Sequence, residues 1–364
     1  MKVCYYLFFI LLLAGCHAPE TDSIGKAVSD STSWPMLGFE KVDSSNPILL
    51  PSSTQVFNCP VRNQQVNWEE RNVLNPTAVI KDGKVFLLYR AQDKSGTSRI
   101  GLATSEDGIH FIKMPAPIFY PDNDEMKKYE WPGGCEDPRI IEREDGVYIM
   151  TYTSYDGKLA RLCLASSTDL LHWTKHGLVL TEDKYRNSWS KSGAIIAKQS
   201  GEKIIAKKIN GKYWMYFGDT DLFIASSDDL IHWQIAEDAE SGKMITVLHP
   251  RRGYFDSRLV ESGPYALENN EGILLIYNGS NAANYGDTTL PKFTYSAGQA
   301  LFDKNNPFKL LARTDTNFFH PDKPYERMGE VNEVCFLEGM VYYKNQWFLY
   351  YGTADSKIAV AVRK

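Results

Sequence analysis

Three stretches of the sequence repeat one pattern: GLATSEDGIHF (101–111), LCLASSTDLLHW (162–173) and LFIASSDDLIHW (222–233). Each is typical of a short strand that ends in Ala and Ser or Thr and leads into a turn with Asp, His and an aromatic residue. Since the polar turn residues recur in every copy, we expect them to shape the turn and not to bind a ligand. They are Asp107, Asp169, Asp229, His110, His172 and His232.

A second pattern of apolar and aromatic residues recurs five times. Its copies are KVFLLYRA (84–91), GVYIMTYTS (146–154), GKYWMYFGD (211–219), GILLIYNGS (272–280) and QWFLYYGTA (346–354). The chain thus contains five units of roughly 60 to 70 residues, each with several strand signals and Gly, Asp or Asn turns. The sequence therefore predicts an all-β fold, a five-bladed β-propeller over residues 46–364, with a β-sandwich as the alternative.

The N-terminus, MKVCYYLFFILLLAGC, has the features of an export signal. One early Lys precedes an apolar run that is too short for a comfortable membrane span. The ending resembles a bacterial lipobox, which implies a signal peptide at 1–15, a lipid on Cys16 and a polar tether over 16–45. We expect an envelope lipoprotein on the periplasmic face or the cell surface of the outer membrane, which touches the membrane only through this lipid. The alternative is a plain secretory signal.

Composition limits the other classes of function. The formal net charge is −5 and no basic block occurs, so we expect no nucleic-acid partner. Four cysteines follow Cys16 at wide spacings without a C-x-x-C motif, so we expect neither a metal site nor any cofactor, and buried free thiols are favoured over a disulfide. They are Cys59, Cys135, Cys163 and Cys335.

The five units differ where their first strands begin. These positions hold Asn75, Asp137, Lys191, Glu261 and Glu333. In a propeller such positions converge on the central cavity, and converging unlike charges normally mark a functional site. Paired carboxylates suit glycoside hydrolysis, since one can protonate the leaving oxygen while the other activates water. The residues alone thus indicate a glycosidase or a sugar-binding protein.

The second of these positions lies in the stretch EWPGGCEDPRI (130–140). Because Pro138 follows Asp137, we expect Asp137 to adopt an extended backbone. Strand alternation should then direct Glu136 and Asp137 to different sides.

Several motifs resemble glycoside hydrolase family 130, the β-mannoside phosphorylases and β-mannosidases. They are GGCEDPRI (133–140), NPTAVI (75–80), LLYRA (87–91), LIYNG (275–279) and YYGTAD (350–355). The resemblance covers about residue 70 to the C-terminus and implies a five-bladed propeller and an inverting reaction on a β-mannosidic bond. By this resemblance Asp137 is the proton donor, acting through a sugar hydroxyl, and Arg139 helps bind phosphate in the phosphorylases. It further implies sugar-contacting or orienting roles for Asn75, Arg90, Glu136 and Asp355.

The sequence departs from the phosphorylase pattern in the third unit. Phe217 and Gly218 stand where the phosphorylases carry the His and Arg of a His-Arg-Pro motif. Lys191 remains as a ligand-binding cation, but Glu261 and Glu333 add negative charge, which disfavours phosphate and suits a base for water. We therefore expect hydrolysis, with either glutamate as the base.

The expected substrate is a mannose-containing oligosaccharide or a mannan side chain, with a β-1,2 linkage implied only by the hydrolytic members of the family. Three alternatives stay open: a β-mannoside phosphorylase, a non-catalytic glycan-binding lipoprotein, and another five-bladed glycosidase such as an arabinan-degrading enzyme.

Overall fold

The computed structural model describes residues 34–364, and the fold over this range is all-β with two single-turn helices. The helices are α1 (Lys127–Glu130) and α2 (Pro324–Arg327). The strands are β1 (Glu40–Lys41), β2 (Ser52–Cys59), β3 (Gln64–Glu69), β4 (Asn72–Lys81), β5 (Lys84–Gln92), β6 (Ser98–Ser105), β7 (Ile112–Lys113), β8 (Gly134–Glu142), β9 (Tyr148–Tyr155), β10 (Ala160–Ser167), β11 (Thr174–Leu178), β12 (Ala194–Ser200), β13 (Lys203–Ala206), β14 (Lys208–Ile209), β15 (Lys212–Phe217), β16 (Leu222–Ser227), β17 (Trp233–Ile235), β18 (Thr246–Leu248), β19 (Leu259–Ser262), β20 (Ala266–Glu268), β21 (Ile273–Ser280), β22 (Tyr295–Asp303), β23 (Asn306–Arg313), β24 (Cys335–Tyr343), β25 (Gln346–Thr353) and β26 (Lys357–Arg363).

The recurring sequence units correspond to five antiparallel groups of strands. In pairing order these are β4-β5-β6-β7, β8-β9-β10-β11, β12-β15-β16-β17, β19-β21-β22-β23 and β24-β25-β26-β1. The first strands are mostly buried: every residue of β8 is buried, its four charged residues included, and so is every residue of β4 except the last. Strands of this kind can only lie at the interior of the fold.

The packed region begins ahead of residue 46. Strand β1 pairs with the last strand, β26, so that Glu40 lies opposite Val362. The Gln299 side chain also holds the backbone of buried Met36 through two hydrogen bonds of 2.6 and 3.0 Å. The predicted tether over 16–45 therefore extends too far, because its last twelve residues are described and pack on the domain. The predicted signal peptide, Cys16 and the rest of the tether lie outside the described residues.

The repeated Asp and His residues build turns, as the sequence predicted. The Asp107 carboxylate accepts hydrogen bonds from the backbone N–H groups of Ile109 and His110, and it contacts the exposed His110 ring at 2.7 Å. The same contacts recur in the second and third groups, at Asp169 with His172 and at Asp229 with His232.

The four cysteines in the described range are buried free thiols, which confirms the favoured interpretation. No group of three or more His, Cys, Asp or Glu side chains within residues 34–364 is placed to hold a metal ion. Neither helix in that range has the length and apolar character needed to cross a membrane.

Candidate active site

Residues with a left-handed backbone occur where four of the first strands begin. The φ angles are 46° at Asn75, 49° at Asp137, 57° at Ser192 and 59° at Glu333. In β4 and β8 the residue lies in a β-bulge, where the strand register shifts. A non-glycine residue in this conformation costs on the order of 1–3 kcal/mol, and such strain concentrates at functional sites. The bulges re-aim individual side chains that a regular strand would direct elsewhere.

The bulge in β8 corrects two expectations about the EDPR segment. Asp137 is left-handed and not extended, so the preference that Pro138 imposes on its neighbour is overridden by the fold. Glu136 and Asp137 also do not separate to opposite sides. Both carboxylates contact the guanidinium of Arg90, at 2.7 and 3.1 Å, because the extra residue of the bulge breaks the strand alternation.

Residues from all five strand groups meet at one cavity of about 260 Å³. Six predicted site residues line it: Asn75, Arg90, Asp137, Lys191, Glu261 and Asp355. The sequence analysis did not assign a ligand-binding role to the remaining lining residues, which are Arg258, Phe293, Tyr295, Val331, Val334 and Phe336. Five of these six are apolar or aromatic, and their chain positions carry no motif of their own. Only Arg258 could have been suspected, since it precedes Glu261 closely and carries charge.

Asp137 is buried among three hydrogen-bonding or cationic groups. Its Oδ1 accepts from the Asn75 amide at 2.8 Å and from Arg90 at 3.1 Å, while Lys191 Nζ lies 3.5 Å from Oδ2. Burial acts to raise the pKa of Asp137, but Arg90 and Lys191 outweigh it and hold that pKa well below its usual range. Asp137 is therefore ionised in the free cavity.

Glu261 lines the same cavity as Asp137 and contacts the same lysine. It accepts a short hydrogen bond from the Ser192 hydroxyl, and its Oε1 lies 3.7 Å from Lys191 Nζ. Burial raises the pKa of Glu261, although Lys191 opposes the shift. Lys191 Nζ contacts both acids, so the distance between Asp137 Oδ2 and Glu261 Oε1 is at most the sum of these two contact distances.

Asp355 and Glu136 carry raised pKa values on the Arg90 side of the cavity. Burial raises the pKa of Asp355 to about 6, with Arg90 opposing the shift. Burial likewise raises the pKa of Glu136, which accepts hydrogen bonds from Arg90 at 2.7 Å and from Ser98 at 3.2 Å. Glu136 does not itself line the cavity. Of its two predicted roles, sugar contact and orientation of a neighbour, the hydrogen bond with Arg90 fits the second.

Arg139 does not face the cavity, contrary to the ligand-binding role that the family motif implied. Its Nε and Nη2 donate to the carbonyl oxygens of Gly263 and Ser262, both at 2.7 Å. Nη1 lies 3.3 Å from the carbonyl oxygen of Asp137 and 3.3 Å from the Glu338 carboxylate. The guanidinium is turned inward because its donors satisfy backbone groups that would otherwise be buried without partners.

Glu338 is a buried acid that the sequence analysis did not single out. Neither of its carboxylate oxygens has a hydrogen-bond partner in the described part of the chain. Burial raises the pKa of Glu338 strongly, against the opposing charge of Arg139. Its sequence context, FLEGM, reads as an ordinary strand, so only the three-dimensional contact with Arg139 reveals it.

Glu333 is half-buried and lies outside the cavity lining, although Val334 next to it contributes. Its backbone N–H donates to Arg327 and its carbonyl accepts from Tyr295 at 2.9 Å. No hydrogen bond or ion pair involves its carboxylate within residues 34–364. Of the two glutamates that the sequence could not rank, Glu261 is the one whose carboxylate belongs to the cavity.

Comparisons with known proteins place the chain in a family. The family described as β-1,4-mannooligosaccharide phosphorylase (Glyco_hydro_130) matches residues 40–364. A 1,2-β-oligomannan phosphorylase from Thermoanaerobacter sp. (strain X514) is 30% identical over 88% of this chain and 95% of its own length.

Solved structures are similar at higher identity. One, reported as showing that "the GH130 family of mannoside phosphorylases contains glycoside hydrolases that target beta-1,2 mannosidic linkages in Candida mannan", is 45% identical with a TM-score of 0.89, covering 91% of this chain and 95% of that one. A glycosyl hydrolase from Bacteroides ovatus gives the same identity, TM-score and coverage. The chain therefore belongs to glycoside hydrolase family 130, whose members act on β-mannosidic linkages.

Proposed function

We propose that this protein is an inverting glycoside hydrolase that cleaves β-mannosidic bonds, with β-1,2-linked mannooligosaccharides or mannan side chains as substrates. The observation that carries the proposal is the pair of buried carboxylates, Asp137 and Glu261, that line one cavity and both contact Lys191. The 45% identity to a structure reported with β-1,2-mannoside hydrolases supports the same substrate class.

In the proposed reaction Glu261 takes a proton from a water molecule as its oxygen attacks the anomeric carbon. The bond from that carbon to the leaving oxygen breaks, and the leaving oxygen receives a proton that originates from Asp137. The raised pKa of Glu261 makes it a stronger base while ionised. Asp137 is ionised before substrate binds, so its donor role requires the substrate to weaken its pairing with Arg90 or Lys191.

The cavity is poorly suited to phosphate as the attacking group. Three carboxylates line it, and a dianion beside them would be repelled. The Arg139 guanidinium donates its hydrogen bonds to backbone carbonyl groups of the protein. Phe217, at the position where the phosphorylases carry a histidine, is buried against Phe223. These contacts favour water over phosphate.

Phosphorolysis is the second candidate function. Curated relatives with 30% identity are named phosphorylases, and Lys191 and exposed Arg258 are two cations that line the cavity. Incubation of the protein with β-1,2-mannobiose, with and without inorganic phosphate, separates the two reactions. Release of mannose without phosphate supports hydrolysis, whereas mannose 1-phosphate formed only when phosphate is present would refute it. Loss of turnover in Asp137→Asn, with sugar binding retained, would exclude a purely glycan-binding role for the wild-type protein.

We also propose that the five strand groups are the blades of one propeller. Their convergence on a single cavity and the closing pair of β1 with β26 support this arrangement. An experimental structure with the five groups arranged otherwise would refute it.

We further propose that Cys16 carries a lipid that attaches the enzyme to the cell envelope, on the periplasmic or outer surface. The support is the lipobox-like sequence alone. Metabolic labelling with radioactive palmitate tests it, since label should be incorporated in wild type and lost in Cys16→Ser. Equal labelling of both would contradict the assignment.

A further inference from the structure

Trp189 is a large aromatic side chain that remains half exposed beside the cavity. It is 49% exposed, and Lys191, two residues further along the chain, lines the cavity. Single exposed apolar side chains are common on protein surfaces, so the exposure of Trp189 alone does not indicate a ligand. Trp189 is a candidate for sugar contact because it lies just ahead of Lys191 in the chain and hydrogen-bonds Asp219, whose charge acts on Glu261.

The indole ring is fixed in place before any ligand arrives. Its N–H donates to Asp219 Oδ2 at 2.6 Å, and the Tyr155 ring meets it nearly edge-on at a centroid distance of 6.4 Å. The loop that carries it is also tied down, because Ser190 N–H donates to Ala160 at 3.1 Å. A fixed ring loses little conformational entropy on binding, which favours affinity.

Asp219 adds a polar contact next to this apolar face. Its Oδ2 holds the indole, while its Oδ1 has no hydrogen-bond partner in the described range and can accept a hydroxyl. Gly218 N–H donates to the carbonyl of Lys191 at 2.9 Å, so Asp219 lies close to the cavity wall. Its negative charge also contributes to the raised pKa of Glu261. A flat apolar surface beside a carboxylate oxygen matches a pyranose ring, which has apolar C–H faces and hydroxyl edges.

The size of the cavity indicates which part of a substrate this surface meets. At about 260 Å³ it is smaller than the roughly 300–1,000 Å³ typical of ligand pockets. It suits a single sugar unit, so the remainder of an oligosaccharide must lie at the mouth. We propose that Trp189, Tyr155 and Asp219 form the binding site for the sugar on the leaving-group side of the scissile bond. The inference rests on the proposed mannoside-cleaving function and specifies where that reaction's leaving sugar binds.

The test compares a substrate that has a leaving sugar with one that lacks it. Trp189→Ala should lower kcat/KM for β-1,2-mannobiose by about tenfold, mainly through KM, because the variant loses the ring face on which the leaving sugar stacks; tenfold corresponds to about 1.4 kcal/mol. Hydrolysis of β-mannosyl fluoride, whose leaving group is a single atom, should change less than twofold. Asp219→Asn keeps the shape and an acceptor oxygen but removes a negative charge that acts on Glu261, so it should lower activity with both substrates, and more so with mannobiose.

A control variant and a binding measurement keep the outcome decisive. Tyr254→Ala removes another exposed aromatic ring that lies outside the cavity lining and should leave both substrates unaffected. Equal losses for both substrates in Trp189→Ala, or no loss with mannobiose, would overturn the proposed subsite. If wild type cleaves neither substrate, the proposed function fails, and calorimetric titration of mannobiose still tests the subsite, since Trp189→Ala should weaken binding about tenfold.

Discussion

Replacing Arg139 by methionine should strongly destabilise the fold, because this guanidinium joins the two strands that carry the proposed acid and base. Nε and Nη2 donate to the carbonyls of Gly263 and Ser262, directly after Glu261 in the chain, at 2.7 Å each. Hydrogen bonds to a charged group contribute about 1.5–3 kcal/mol each. Losing both should reduce the free energy of unfolding by roughly 3–6 kcal/mol.

The measurement is urea unfolding of wild type and Arg139→Met, followed by tryptophan fluorescence. Arg143→Met is the matched control, because it removes the same side chain from a surface pair with Asp145 near the end of β8. Exposed pairs contribute about 0–1 kcal/mol, so that variant should stay close to wild type. An Arg139→Met protein within 1 kcal/mol of wild type would refute the reasoning, since two short buried hydrogen bonds would then have contributed almost nothing.

The pH dependence of stability tests a second feature of this region, the buried Glu338 that pairs with Arg139. The pKa of Glu338 in the folded protein lies above its ordinary value of 4.5, because the carboxyl is buried. The folded state therefore holds this proton more tightly than the unfolded chain does. The resulting stabilisation is complete below about pH 4.5 and is lost as the pH rises through the folded pKa. Glu338→Gln cannot titrate, so its stability relative to wild type should increase with pH; a constant difference would contradict the buried acid.

Three further predictions concern single residues. Asp355 has a pKa of about 6, so its carboxyl can donate a hydrogen bond to a sugar only below that pH. The value of kcat/KM for mannobiose should therefore fall as the pH rises through about 6. Asp355→Asn should abolish this fall. Glu261→Gln should lower kcat by about a hundredfold or more and Glu333→Gln by less than tenfold, in parallel steady-state assays; the reverse order would identify Glu333 as the base. Gly134→Ala should lower the free energy of unfolding by about 3 kcal/mol or more, measured by thermal unfolding. The added Cβ would lie 2.1 Å from the Ser98 carbonyl oxygen, and the φ of 113° is unfavourable for alanine. Unchanged stability would show that the strand can move.

The repeat pattern predicted the strand groups and the meeting of their first strands. Because the repeated units share most of their residues, the positions at which the units differ can be recognised. Four residues of the cavity lining were predicted in this way: Asn75, Asp137, Lys191 and Glu261. The same logic explains why the Asp and His residues of the turns were set aside correctly. Repeated units of roughly 60 to 70 residues are enough for this level of prediction.

The direction of individual side chains could not be predicted, because it depends on irregular backbone and on distant strands. The bulge at Asp137 overrides both the Pro138 preference and the alternation of the strand. Arg139 points inward because Ser262 and Gly263, more than 120 residues away, offer it carbonyl oxygens. The residues that neighbour Arg139 in the sequence do not indicate which distant groups it will contact.

The proposed acid and base depend on a lysine that both of them share. Lys191 stabilises the ionised forms of Asp137 and Glu261 together, whereas the reaction needs a protonated acid and an ionised base. A sugar inserted between the carboxylates can leave Lys191 close to only one of them. If the lysine stays with Glu261, the pKa of Asp137 rises while Glu261 remains ionised, and this is the combination that catalysis requires. Infrared titration of the Asp137 carboxyl should then show its pKa rise when mannose binds, with Asp137→Asn used to assign the band. An unchanged Asp137 pKa would mean that its proton reaches the leaving oxygen by another route.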